Sequence, residues 1–409
     1  MRPTTLQRER WDALVAEILP RNAFYASRFA GADPAEFARL PMTTKADLLH
    51  DQAAHPPYGT VLTYPRRDYC RLHQTSGTAG RPLRWLDTRA SWDWMLRCWE
   101  RMFAIIGLRP DDRLFFAFSF GPFLGFWTAF EAASRAGWFC VPGGGMSSGA
   151  RLRLLLDNEA TVLFCTPTYA LRLAEVGREE GIDLPNSSVR AVVVAGEPGG
   201  SIPATRSRIE AGWGARVFDH SGMTEVGPMA IECPANPAGL HVLEDDYLAE
   251  VIDPASGEPV PAGQVGELVV TNLGRLGSPL IRYRTGDLVR VDPSPCPCGS
   301  GTLRLAGGIL GRADDMIHLR GNNVYPGALE ALLRRFPEVA EYRVEVDHSA
   351  ALTALRVEVE PVNGGGAGLV ERVDRAIRDE FLFRAEVRLV PPGSLPRFEM
   401  KARRFVVRR

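Results

Sequence analysis

The spacing of apolar residues changes several times along the chain, and each change predicts a different kind of structure. Over residues 6–29, Leu6, Trp11, Leu14, Val15, Ile18 and Leu19 fall at amphipathic spacing, which predicts an N-terminal helix. From about residue 113 short, nearly continuous apolar runs take over: RLFFAFSF, WFCVPG, TVLFCTP, VRAVVVAGE and ARVFDHSG. Segments with helical periodicity, such as LGFWTAFEAASRAG and YALRLAEVGREEG, lie between them. Strands apolar on both faces, alternating with helices, predict a largely parallel α/β sheet. After about residue 240 the runs YLAEVIDP, GELVVTN and LIRYRTGDLVRV alternate more strictly between Pro- and Gly-containing turns, predicting an antiparallel β subdomain. From about residue 313 a smaller α+β unit follows, with a helix over 369–382 placing Leu369, Val373, Ile377 and Phe381 on one stripe. The Gly-rich NGGGAG before that helix is short enough to be a loop within the unit.

Composition narrows the class without naming a chemistry. At 409 residues the chain has material for two or three domains of roughly 150 residues each. With 45% hydrophobic and 24% charged residues it is ordinarily globular, and a formal charge of -1 argues against nucleic acid or an anionic membrane as partner. The basic ending KARRFVVRR is a local feature. No apolar stretch approaches the ~18–20 residues of a membrane span, and the N-terminus has no apolar core of a signal peptide. Seven scattered cysteines, an odd number, do not form a disulfide framework. A reducing, cytoplasmic setting is expected.

Chemistry enters through polar clusters. HQTSGTAGRP, from His73 to Pro82, gathers small residues and hydroxyls as a phosphate-surrounding loop requires, although a mobile surface loop has the same composition. It lacks Walker A spacing. Three further clusters follow predicted strands, where ligands bind in open α/β sheets: Gly196, Glu197 and Pro198; the run from Asp219 to Glu225; and Asp287. Taken singly, each also reads as a turn or helix cap.

Taken in order, with GRADDMIHLRGNNVYP and the late lysine of PRFEMKARR, these segments resemble the adenylate-forming enzymes, and most closely the phenylacetate–CoA ligases and related aryl-acid ligases. LPMTTKADL, LFCTPTYALRLAE, LHVLEDDYLAEVIDP and PLIRYRTGDLVRV extend the resemblance over almost the whole chain. The resemblance implies an α/β N-terminal domain, residues 1–312, and a small mobile C-terminal α+β domain, residues 313–409. It also implies two half-reactions. A carboxylate attacks the α-phosphorus of MgATP to give acyl-AMP and pyrophosphate, and a thiol, usually that of CoA, then displaces AMP. The developing phosphate charge calls for oriented donors and Mg²⁺.

By this resemblance Thr75, Ser76, Gly77, Thr78, Ala79 and Gly80 form the ATP-phosphate loop. Arg81 follows where lysine is common, presenting a planar fork in place of a point charge. Gly196, Glu197 and Pro198 belong to the adenine wall, with Asp219, His220, Ser221, Gly222 and Met223 beside it; Ser221 departs from the tyrosine of many relatives. Thr224 is the expected phosphate contact, Glu225 the Mg²⁺ ligand, and Asp287 the ribose acceptor, with Arg312 nearby. Asp314 matches the hinge, in a segment that also reads as a charged turn. Lys401 matches the adenylation lysine, which bridges substrate carboxylate and α-phosphate; the other reading is a solvated tail lysine.

Phe118, Phe120, Phe123, Phe126 and Trp127, around Gly121 and Gly125, match the acid-pocket segment and suit an aromatic acid, though such density also serves core packing. Cys233, His241, Cys296 and Cys298 make a complete donor set for structural Zn²⁺, or are ordinary cysteines. The expected partners are a small aromatic carboxylic acid and CoA. A carrier-protein thiol or an amine is the alternative acceptor, and a weakly active nucleotide-binding relative the alternative class. No oligomeric state is implied.

Overall fold

The computed structural model describes residues 3–75, 81–319, 322–347, 354–362, 366–398 and 402–408. The expected first helix is in fact two, α1 (Thr5–Ile18) and α2 (Ala23–Arg28). Pro20 has no N–H to continue the ladder, and the Asn22 side chain accepts from Tyr25 N at 3.1 Å to start the second helix. After α3 (Lys45–Ala54) comes a hairpin of β1 (Tyr69–Gln74) and β2 (Arg84–Thr88), then the long helix α4 (Arg89–Ile106). The α/β part follows: β3 (Arg113–Phe116), α5 (Trp127–Arg135), β4 (Phe139–Pro142), α6 (Ser148–Asp157), β5 (Val162–Cys165), α7 (Pro167–Glu179), β6 (Ala191–Val194), α8 (Pro203–Trp213) and β7 (Arg216–Met223).

Strands β3 to β7 are parallel, in the spatial order β4-β3-β5-β6-β7. The antiparallel part begins earlier than the alternation pattern suggests. β8 (Gly227–Ile231) and β9 (Gly239–Val242) add antiparallel to the open β7 edge and, with a later short strand, complete an eight-stranded mixed sheet among the described residues. β8 is buried at every position, so it carries no polar alternation to mark it as antiparallel. A four-stranded antiparallel sheet is built from β10 (Tyr247–Ile252), β11 (Val265–Asn272), β12 (Tyr283–Arg290) and, after β13 (Arg304–Ala306) of the large sheet, β14 (Gly311–Arg312).

Period-two alternation divides the core. Leu114, Phe116 and Phe164 face α4, whose Trp92, Trp99, Met102 and Phe103 recur at helical spacing. Phe115, Leu163 and Val192 face α6 to α8 with Leu155, Leu173 and Trp213. A third, separate core lies in the C-terminal part. There β15 (Ile317–Leu319) and β16 (Asn322–Val324) precede α9 (Pro326–Arg334), β17 (Val339–Asp347), β18 (Ala354–Pro361), α10 (Leu369–Phe381), β19 (Glu386–Leu389) and β20 (Phe405–Arg408). Helix α10 buries Leu369, Val373 and Ile377 of the stripe its sequence predicts, while Phe381, at the last turn, is half-buried. No helix among the described residues is long and apolar enough to cross a membrane.

Candidate functional site

The segment 75–83 joins the two strands of the first hairpin. Its flanks meet where Thr75 N donates to Leu83 O and Leu83 N donates to Thr75 Oγ1, both at 3.0 Å. Ser76, Gly77, Thr78, Ala79 and Gly80 lie outside the described residues, while Arg81 is exposed. Beneath this hairpin is a group that no spacing in the sequence announces. Arg275, fully buried, grips the equally buried Asp87 of β2 through two bonds of 2.7 Å. Its remaining N–H groups donate to the carbonyls of Thr224 and Glu225 at 2.8 and 2.9 Å. One guanidinium thus joins the hairpin expected to carry the phosphate loop to the segment expected to hold phosphate and magnesium.

Glu225 is itself buried, and Tyr283 Oη donates to its Oε1 at 2.8 Å. Burial first, and the neighbouring carboxylate second, push the Tyr283 phenol well above its usual range, so it stays a donor. Thr224 is half-buried beside it. His73, also missed from sequence, is buried and stacks on Trp92 with centroids 5.3 Å apart.

Around the C-terminal ends of the parallel strands, Gly196 and Pro198 are exposed and Gly196 has φ +96°. Glu197 is half-buried, with Oε1 accepting from Thr168 N at 3.1 Å. Asp219 accepts from Ser201 Oγ at 2.5 Å and from His220 N at 3.1 Å, and burial pushes its carboxyl up to about 6. Behind it Arg206 pairs with the buried Glu232, whose carboxyl burial pushes up to about 8. Ser221 and Met223 are half-buried and Gly222 is exposed along the end of β7. Asp287, in β12, lies opposite Arg312 of β14 and accepts from its Nη1 at 3.2 Å. The same guanidinium donates to both oxygens of Asp314, at 2.9 and 3.2 Å, so the expected ribose residue and the expected hinge share one cation.

The aromatic segment forms a connected cluster next to this site. Phe118 meets Phe120 and Phe126 edge-on, Phe120 meets Trp127, and Phe126 packs on Trp99. Phe123 is half-buried and takes no part in these ring contacts. Gly125, at φ +40°, is required here, since a Cβ would lie 2.2 Å from the Phe118 ring. Trp127 Nε1 donates to Gly121 O at 3.0 Å, and Gln74 N donates to Pro122 O at 2.8 Å, tying the aromatic loop to the first hairpin. His220 lies 4.5 Å from the Trp99 ring. Its Nδ1 is 2.9 Å from Ala230 O, a carbonyl that only accepts, so the proton sits on Nδ1. Burial holds this ring down to about 4, which leaves Nε2 an acceptor.

Cys233, His241, Cys296 and Cys298 meet at the other side of the antiparallel extension, with their donor atoms all within 4.8 Å of one another. Cys233 Sγ lies 3.6 Å from Cys296 Sγ, and Cys298 Sγ lies 3.5 Å from His241 Nε2. At the C-terminus Lys401 lies outside the described residues. Ala402, which follows it, donates its N–H to Glu197 Oε2 at 2.7 Å.

A sequence profile described as "AMP-binding enzyme" matches residues 37–274, and one for the "AMP-binding enzyme C-terminal domain" matches residues 321–409. The chain belongs to the AMP-binding enzyme family. It is 35% identical to the phenylacetate-coenzyme A ligase of Thermus thermophilus, over 96% of this chain and 94% of that protein. It is 32% identical to the corresponding enzyme of Escherichia coli K12, over 97% and 92%. Among solved structures, 2-hydroxyisobutyryl-CoA ligase in its postadenylation state with 2-HIB-AMP matches at a TM-score of 0.93, with 32% identity over 98% of this chain and 89% of that one. The same ligase with 2-HIB-AMP and CoA in its thioesterification state matches at 0.73 over the same shares. The chain thus superposes more closely on the first of these two structures than on the second.

Proposed function

We propose that the chain is an ATP-dependent, AMP-forming acid–CoA ligase that converts an aromatic carboxylic acid to its acyl-AMP and then to the CoA thioester. The observation that carries this reading is the Asp87–Arg275–Glu225–Tyr283 arrangement. It fixes a buried carboxylate, suited to Mg²⁺, beside the hairpin suited to ATP phosphates. Magnesium would offset phosphate charge as pyrophosphate leaves. Asp287 would accept from ribose hydroxyls, Thr224 would contact phosphate, and Lys401 would bridge the two anions that react. The Phe118, Phe120 and Phe126 cluster would form an apolar slot for the acid. Residues 1–312 would be the ATP- and acid-binding domain and 313–409 the part that reorients about Asp314 for attack by CoA.

Incubating the protein with MgATP, CoA and a panel of aryl and alkyl acids, with products identified by mass, tests this. An aryl-CoA thioester with AMP and pyrophosphate is expected. Preference for a small hydroxy acid would move the acid assignment, and acyl-AMP that accumulates despite CoA would point to a carrier-protein thiol or an amine as acceptor.

The same reading includes a structural Zn²⁺ held by Cys233, His241, Cys296 and Cys298. Zn–S bonds of about 2.3 Å in a tetrahedron put sulfurs about 3.8 Å apart, near the 3.6 Å between Cys233 and Cys296 and far from a disulfide's ~2.05 Å. His241 Nδ1 is 3.0 Å from Thr302 Oγ1, which turns Nε2 toward the thiols, and Ser300 N donates to Cys298 Sγ at 3.4 Å. With four protein donors the ion would be structural. Metal analysis of the untreated protein should find one zinc per chain, lost in Cys296→Ser; its absence would refute the assignment.

A further inference from the structure

The aromatic cluster ends on a nitrogen that no residue holds. Trp99 of α4 is the shared floor of the cluster. Its ring lies 6.2 Å from Phe126 of the loop after β3, 6.3 Å from Phe164 of β5 and 4.5 Å from His220 of β7. β3 pairs with β4 on one side and β5 on the other, so the chain reverses its direction of travel across the sheet there. Open α/β sheets bind ligands at such a reversal, outside the C-terminal strand ends, and the aromatic loop stands at that place. Phe118 and Phe120 of the loop are half-buried, so part of each ring stays accessible.

His220 is 8% exposed. Its Nδ1–H donates to Ala230 O at 2.9 Å, and Nε2 has no hydrogen-bond partner among the described residues. An unpaired acceptor in a buried ring is costly, so the nitrogen calls for a donor that its own chain does not supply. There is room for one. Gly222 is exposed, and a Cβ on it would stand 3.3 Å from Nε2. The nitrogen therefore lies just beneath the open end of β7, with no side chain over it at that point.

We propose that His220 is a specificity-determining residue: its Nε2 accepts a hydrogen bond from a hydroxyl or amino group on the ring of the aromatic acid, so the chain selects hydroxy- or amino-substituted aryl acids. This inference deepens the reading of Phe118, Phe120 and Phe126 as the acid slot, and rests on it. The slot walls offer apolar contact, which separates similar rings only weakly. A polar atom at the end of such a slot discriminates more sharply, because an acid without a donor leaves it desolvated and unpaired. With its proton fixed on the Ala230 side, the ring presents a lone pair, so a substituent that only accepts is rejected as well.

Competition between two acids on one enzyme sample tests this, because the ratio of their kcat/KM values is independent of how well a variant binds ATP. Benzoates and phenylacetates carrying hydroxyl, amino, methyl or fluoro at matching ring positions are mixed in pairs with MgATP and CoA. The acyl products are counted by mass for the wild type, His220→Ile and His220→Asn. At one ring position the wild type is expected to favour the hydroxy or amino acid over its methyl and fluoro counterparts by about tenfold or more. In His220→Ile that ratio should fall to within about twofold of one. His220→Asn, smaller and polar, should lose the preference too, and it decides the matter should His220→Ile not fold. A wild type with no such preference at any ring position would overturn the proposal. So would a preference that survives in a folded variant, including the case where both acids lose activity together, which would make His220 a nucleotide-wall residue. Should small aliphatic acids be activated and none of the aryl acids, the reading of the slot falls, and the proposal with it.

Discussion

Two arginines hold this enzyme's site together in opposite ways. Arg275 is sealed inside the N-terminal part, where its side chain and that of Asp87 have no exposure at all. Arg397 spans the two parts at the surface of a cleft of about 720 Å³. Both make carboxylate pairs, yet a buried pair that loses one partner leaves an uncompensated charge, while a half-buried pair such as Arg397–Glu175 can be partly rehydrated. The joint between the first hairpin and the Thr224–Glu225 carbonyls is of the first kind. The Arg397–Glu175 contact, which keeps part of its exposure to water, is of the second kind. The lesson is that burial, more than residue type, sets how much each pair costs to break.

Arg275→Met breaks the comparison most severely. Leaving Asp87 buried and unpaired should cost about 3–5 kcal/mol, read as a fall in chemical-denaturation midpoint together with lost acid-dependent pyrophosphate release. A variant with wild-type stability would show that the pair is dispensable. The next effect is in acid. Burial holds both His73 and His220 down to about 4. Their neutral rings therefore contribute stability that is complete above the free imidazole value of about 6.5 and is lost as pH falls through about 4. His220→Asn should flatten the loss between pH 7 and 4.5 by on the order of 2 kcal/mol, measured by denaturation at each pH. An unchanged slope would mean that His220 is not kept neutral by its surroundings. Smallest is the effect of Glu175→Gln on folding, within about 1 kcal/mol in the same denaturation experiment. A larger loss would make the interdomain bridge part of the scaffold and erase the contrast.

Local chemistry made much of the fold legible. The apolar runs at 113–120, 161–167 and 189–197 contain the strands Arg113–Phe116, Val162–Cys165 and Ala191–Val194, and the α10 stripe is buried at Leu369, Val373 and Ile377. What the sequence hid was long-range. Asp87 and Arg275 stand 188 residues apart, and Glu197 and Ala402 stand 205 apart, so neither pair leaves a periodic trace. The break between α1 and α2 was carried by Pro20 and Asn22, which the apolar spacing of residues 6–29 overrode. The antiparallel extension at β8 was hidden because Gly227–Ile231 is buried on both faces and looks like its parallel neighbours. Cys233 and His241 lie far in sequence from Cys296 and Cys298, yet their donor chemistry offered them as one candidate set, and the fold brings them together.

The central claim is that the acid is activated on this chain as an acyl-AMP before any thiol takes part. Exchange of labelled pyrophosphate into ATP, measured without CoA, tests it directly. The account predicts exchange that requires both magnesium and an aromatic acid, and that vanishes in Glu225→Gln. Exchange that appears only once CoA is added, or ATP consumed to ADP and phosphate with no exchange, would contradict it.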